Sequence, residues 1–297
     1  AKGNAAVHCV IIGFSNYDIG DKVLIDYENV DNEPQAVKVK NINPYLIDAR
    51  NVLISSRKKP ICNVQEMMNG SMANDEGNLL LTTEEKNEII TRYPEAAKFI
   101  KRFVGAIEFL NNKERWCLWL KDVDPNEFRM IPDIMNRVEK VRVFRNSSKR
   151  ETTRELGRYP TLFGEIRQPE TNYLIVPVVS SENRRYIPAA FYSHETIASN
   201  LVNIVPGANE YTFGIMSSEM MMTWIRAVAG RLKSDWRFTK DNVYNNFPWP
   251  ENPTKKQIEE VSFAVKSIIE IRSKYNKSSL ADLYDSNTMP HDLTKAH

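Results

Sequence analysis

The sequence predicts an α+β fold, a mixed α/β body with strand-like segments before it and helices after it. Three observations predict it. From residue 5 to about 54, apolar strand-like runs are separated by turns rich in Asn and Asp. From about 57 to 250, capped helical patterns interleave with short β-branched and aromatic runs. Beyond the stiff connector Asn246-Phe-Pro-Trp-Pro250, apolar residues recur at helical spacing.

The first stretch contains Ala5-Ala-Val-His-Cys-Val-Ile-Ile-Gly-Phe14 and Lys22-Val-Leu-Ile-Asp-Tyr27, both read as strands. Three or so strands cannot bury a core alone, so this stretch reads as the end of a domain that starts elsewhere. Thr82-x-x-Glu85 is a capping box for a helix carrying Ile89, Ile90 and Tyr93. Pro94 suits the first turn of another helix, with Phe99, Ile100, Phe103 and Val104 on one face. Residues 115–120, 162–166, 173–179 and 211–215 read as strands. Met221, Trp224, Ile225, Val228 and Leu232 predict an amphipathic helix over 218–232, with Met220, Met222 and Trp224 packing in the core. Thr254-x-x-Gln257 opens a long helix to about Tyr275 through Ile258, Val261, Val265, Ile268 and Ile271. A shorter helix follows at 280–284.

Composition narrows the function classes. The chain has 297 residues, 42% of them hydrophobic and 26% charged, which excludes collagen-like, disordered and disulfide-framework proteins. The net charge of +2 means that any nucleic-acid binding must come from a local patch, not from bulk charge. Cys9, Cys62 and Cys117 form no paired motif, as expected of a reduced, cytoplasmic protein. No apolar run approaches the roughly 18 residues of a membrane span. The chain starts without Met and enters strand-like sequence at once, so it reads as the interior of a longer polypeptide.

The sequence contains no Gly-x-Gly-x-x-Gly, no Walker loop and no nucleophile elbow, and its four histidines have no metal-ligand spacing. His8 reads as a structural histidine in an apolar strand. Asn43-Pro44-Tyr45 resembles an amine-holding Asn-Pro-Pro-Tyr but has a single proline, and reads as a turn entering a strand. The informative chemistry is basic. Residues 129–158 hold nine basic against four acidic residues, a local excess suited to phosphate contacts. By composition, a solvated helix face would look the same. In Gly230-Arg-Leu-Lys-Ser-Asp-Trp-Arg237, Lys233, Asp235 and Arg237 alternate on an extended exit segment and would share one face. Lys can donate to guanine O6 and N7, and Asp can accept from cytosine N4. A surface salt-bridge trio is the plain alternative.

In order along the chain, Asn43-Pro-Tyr-Leu-Ile-Asp48, Arg102-Phe-Val-Gly-Ala106, Arg115-Trp-Cys-Leu-Trp-Leu120 and Glu165-Ile-Arg-Gln-Pro169 form specific blocks. Val178-Val-Ser-Ser-Glu182, Gly230-Arg-Leu-Lys-Ser-Asp235, Tyr244-Asn-Asn-Phe-Pro-Trp-Pro250 and Leu280-Ala-Asp-Leu-Tyr-Asp285 continue them. Together they resemble the C-terminal part of MmeI-like (type IIG/IIL) restriction–modification DNA adenine methyltransferases. The resemblance implies three parts: 1–56, the last strands of a methyltransferase sheet; 57–250, a target recognition domain; and 251–297, a helical C-terminal region. It implies sequence-specific reading of double-stranded DNA by Lys233, Asp235 and Arg237, with Asn200 and Leu201 from a loop about thirty residues earlier. Phosphates would be held by Arg142, Arg145, Lys149, Arg150 and Arg154. The cofactor loop and catalytic motif of such enzymes are not in this sequence. S-adenosylmethionine would therefore be bound by the rest of the polypeptide, not by this part. One rival reading is a non-catalytic protein-interaction module that has lost DNA reading. Another, a self-contained small-molecule methyltransferase, lacks a cofactor loop.

Overall fold

The computed structural model describes residues 10–27 and 33–297. Strands β1 (Lys22–Asp26) and β2 (Gln35–Val39) pair antiparallel as a two-stranded ribbon. Most of its residues are exposed, because two strands offer no second layer to cover them. The expected strand at 5–14 lies partly outside the described residues, as do His8 and Cys9. Residues 10–14 form no strand, and Ile11 and Phe14 are almost fully exposed. The Asn43 turn is present: its Oδ1 accepts from the backbone N–H groups of Tyr45 (2.9 Å) and Ile47 (3.3 Å), but no strand follows it.

Three cores organise the remainder. β3 (Met68–Asn69), β4 (Leu80–Leu81), α1 (Thr83–Arg92), β5 (Ile100–Val104), α2 (Ala106–Asn111), β6 (Trp116–Leu118), α3 (Pro132–Asn146) and α4 (Glu151–Glu155) follow in order. The Thr82/Glu85 capping box starts α1 as expected. Pro94 opens only a short 3-10 turn, Pro94–Phe99, and not the expected helix. Ile100, Phe103 and Val104 instead lie on β5 and are buried there between packed layers, which favours β-branched and aromatic residues on a strand. β6 pairs antiparallel with both β5 and β4, and Phe103 and Leu118 of this sheet share one core with Phe99 of the preceding turn and with Ile134, Val138 and Val141 of α3.

β7 (Tyr173–Pro177), β8 (Val179–Ser180), β9 (Ala190–Tyr192), β10 (Ile197–Ala198) and β11 (Val202–Pro206) follow, and β7 and β11 divide their side chains between the other two cores. β10 joins the first sheet in parallel with β5, whereas β3, β11, β7 and β9 form an antiparallel sheet of their own. Residues 162–166 are irregular, held by a single bridge from Met72 to Glu165 instead of forming a strand.

α5 (Glu210–Met216) replaces the strand expected over 211–215. Asn209 caps it by accepting from Thr212 N–H at 3.0 Å, and Gly214 gives α5 the bare surface on which Val261 packs. α6 (Glu219–Val228) carries Met221, Met222 and Ile225 into the core. Met220 points out at 67% exposure, which corrects its assignment to the core. The helix stops at Val228, short of the expected 232, because Ala229 turns extended and the next residues pair as strands. These are β12 (Gly230–Leu232) and β13 (Asp235–Arg237).

α7 (Lys255–Lys274) starts at the Thr254/Gln257 capping box, and α8 (Leu280–Tyr284) and α9 (His291–Ala296) close the fold. α9 was not legible from the periodicity. Among the described residues no helix is long and apolar enough to cross a membrane.

Candidate nucleic-acid interface

β12 and β13 are joined by a two-residue turn, Lys233–Ser234, and β13 pairs antiparallel with β8 to make a three-stranded sheet. The register sets Gly230 opposite Arg237, Arg231 opposite Trp236 and Leu232 opposite Asp235. Side chains alternate along a strand, so Arg231 and Trp236 share one face and Leu232, Asp235 and Arg237 the other. Trp236 is buried in the main core, so the Asp235/Arg237 face looks away from it. The sequence expectation thus needs one change. Asp235 and Arg237 do share a face, but Lys233 is off the strand, at the tip of the turn.

Lys233 is exposed and has φ +57°, in the left-handed region. That conformation at the first position of a hairpin turn favours Gly, Asn or Asp, and costs a residue with a Cβ roughly 1–2 kcal/mol. A lysine kept in such a conformation is the kind of backbone strain that clusters at binding sites.

The earlier loop reaches the same place through one residue. The Val178 N–H donates to the Leu201 carbonyl at 3.2 Å, and the Val178 carbonyl accepts from Phe238 N–H at 2.8 Å, directly after Arg237. Asn203 reinforces the join by donating to the Phe238 carbonyl at 2.8 Å. Asn200 is half-buried with its backbone N–H on Ser71, and Leu201 is 56% exposed. The structure therefore brings the 200–201 loop beside the base of the hairpin.

Three neighbours were not picked out by sequence reasoning. Arg231 stacks on Trp236 and pairs with Glu182, and Arg184 donates to Ser180 Oγ at 3.2 Å. Burial pulls the Arg184 guanidinium below its usual range, against the opposing charges of Asp235 and Asp285. These contacts depend on how the hairpin and the segment after β8 come together, and the sequence carried no signal for them beyond the Val178–Glu182 and Gly230–Asp235 blocks.

The basic stretch divides. Arg142, Lys149, Arg150 and Arg154 are exposed on α3, α4 and the segment between them. Arg142 pairs with Glu139 at 3.2 Å, and Arg154 donates to the Ser148 and Lys149 carbonyls. Arg145 is not available for a phosphate. It is fully buried and its guanidinium donates to the carbonyls of Asn74, Leu156, Tyr159, Ala73 and Leu162 at 2.8–3.1 Å. The signal was present: Arg145 falls in step with Ile134, Val138 and Val141, the buried stripe of α3. Among the described residues no cluster of side chains is suited to hold a metal ion.

This architecture, a mixed α/β body exposing a charged hairpin and ending in helices, is that of a target recognition domain followed by a C-terminal helical domain. Residues 48–251 match the family "MmeI, target recognition domain" and residues 252–297 match "MmeI, C-terminal domain". The chain belongs to the MmeI family.

It is 39% identical to DNA methyltransferase A of Bacillus subtilis (strain 168) over all 297 of its residues, which span 33% of that relative. It superposes on the Type IIL restriction-modification enzyme MmeI, solved in complex with DNA, with a TM-score of 0.94 and 45% sequence identity. That match covers the whole of this chain and 40% of MmeI. The chain thus spans between a third and two-fifths of the length of these relatives.

Proposed function

We propose that this chain is the sequence-reading part of a longer, restriction–modification type DNA adenine-N6 methyltransferase, and that it grips duplex DNA and sets the recognition sequence. The observation that carries the reading is the exposed hairpin, which holds Lys233 in a strained backbone at its tip with Asp235 and Arg237 on its open face. A two-stranded hairpin fits the major groove, where Lys donates to guanine and Asp accepts from the paired cytosine. Asn200 has the chemistry to read adenine, and Leu201 offers an apolar contact to a thymine methyl. Arg142, Lys149, Arg150 and Arg154 hold phosphates, which fix register without reading sequence.

Residues 1–56 belong in this reading to the end of the methyltransferase domain, and residues 251–297 to the helical C-terminal region. The cofactor S-adenosylmethionine, the flipped adenine and the methyl transfer belong to the remainder of the polypeptide. The setting is cytoplasmic.

Selection of bound duplexes from a randomised library tests the reading. Lys233→Ala and Asp235→Asn should each lower the preference at one base pair by about 1–3 kcal/mol. An unchanged preferred sequence in both variants removes these residues from base reading. No DNA binding even at low salt would leave the chain a protein-interaction module.

A further inference from the structure

The hairpin tip is exposed, and two short strands hold it up. A side chain that reads a base must be held within roughly half an ångström of its productive position. A three-residue ladder does not supply that stiffness alone.

Arg231 supplies it through three contacts. Its guanidinium carbon lies 3.5 Å from the centre of the Trp236 ring, a ring anchored in the main core. Its Nη1 donates to Glu182 Oε2 at 3.0 Å and to the Ser234 carbonyl at 2.5 Å. Ser234 is the residue between Lys233 and Asp235, so one planar group grips the peptide that joins the two side chains proposed to read bases.

Glu182 is itself held from behind. It sits in the loop after β8, where Asn183 accepts from Ser286 N–H at 3.0 Å and Arg185 N–H donates to the Tyr284 carbonyl at 3.2 Å. The bracing therefore runs from α8 through the 182–185 loop to Glu182, then through Arg231 to the turn.

We propose that Arg231 is a positioning residue for base reading, and that Glu182, backed by the C-terminal helices, is its anchor. The inference rests on the reading of Lys233 and Asp235 as base readers. Lysine cannot replace arginine here, because the close stack on the Trp236 ring needs the planar guanidinium.

The test uses the complete gene product with Arg231→Lys, Arg231→Met, Glu182→Gln, Lys233→Ala and Asp235→Asn, and the probe is a randomised duplex library titrated across salt. Arg231→Lys and Glu182→Gln should relax the preference at the Lys233/Asp235 base pair about tenfold. Arg231→Lys should do so with an unchanged salt slope. If Arg231→Met weakens every duplex equally and Arg231→Lys keeps the parent preference, Arg231 is a phosphate contact and the inference fails.

If Lys233→Ala and Asp235→Asn relax the preference but neither Arg231→Lys nor Glu182→Gln does, base reading stands and the bracing role falls. If Lys233→Ala and Asp235→Asn also leave it intact, base reading falls and the inference with it. Should Arg231→Met fail to fold, Glu182→Gln removes the charge of the Glu182 anchor from outside the hairpin and decides the matter.

Discussion

Arg145 and Arg231 lie in the two basic stretches of the chain, and the fold uses them in opposite ways. Arg145 lies on the buried stripe of α3, with every guanidinium nitrogen committed to backbone carbonyls of two separate segments, 73–74 and 156–162. Burial pulls its guanidinium below the usual arginine range, with Asp75 opposing the shift. Arg231 is 41% exposed, stacked on one ring and paired with one carboxylate. A positive charge in a sequence therefore says little about where the charge is used. Its phase relative to the apolar stripe says more.

The comparison breaks first at Arg145. Arg145→Met removes donors from five carbonyls enclosed by protein, and should cost about 3–5 kcal/mol. Arg145→Lys keeps the charge but has only three donors, so it should also lose stability. Urea midpoints at unchanged slope check this. A stable Arg145→Met whose DNA affinity drops with a shallower salt slope would put Arg145 back among the phosphate contacts and dissolve the contrast.

A middle-sized effect belongs to the segment that backs the hairpin. His297 stacks on Tyr186 with ring centres 4.3 Å apart, and its Nε2 lies 2.8 Å from Tyr284 Oη. Burial, then the positive charge of Arg272, lowers its pKa to about 4 from the ordinary 6.5. The folded state therefore prefers the neutral ring. Its full contribution is present above pH 6.5 and is lost as pH falls toward 4. Between pH 7 and 5 the loss should be about 2 kcal/mol. Comparing urea midpoints of the parent and His297→Leu at both pH values isolates it from carboxylate titration. Equal slopes with pH in both proteins would mean that the ring is not buried neutral. Arg145 should not contribute, since it stays charged throughout this range.

Legibility from sequence follows the same division between local and distant causes. The capping boxes at Thr82 and Thr254 and the long helix α7 were readable because every residue that makes them lies within a few positions. α5 was misread as a strand because what makes it a helix is the Asn209 cap and the approach of α7 at Gly214, a contact with residues nearly fifty positions away. The turn after Pro94 was misread for the converse reason. Good helical spacing lost to the pairing of β5 with β6 and β10. At the site, residue types and the approximate segment were legible through the resemblance. The tip position of Lys233, the join through Val178 and the Glu182–Arg231–Trp236 contacts depend on strand register, which the sequence does not express.

The smallest effect is the most discriminating, because its two readouts move in opposite directions. Lys233 occupies a left-handed backbone with φ +57° while exposing its side chain. Glycine adopts that conformation freely, so Lys233→Gly relieves roughly 1–2 kcal/mol of backbone strain. It returns roughly 0.5–1 kcal/mol through the greater freedom of the unfolded chain. The net should be a protein more stable by about 0.5–1 kcal/mol, seen as a higher urea midpoint. A residue present for stability would not be improved by its own removal. If the same variant also relaxes the preference at one base pair, the turn trades folding stability for recognition. A lower midpoint would show that the turn is not strained. A higher midpoint with an unchanged preferred sequence would leave Lys233 an ordinary surface lysine and move base reading to Asp235 and Arg237.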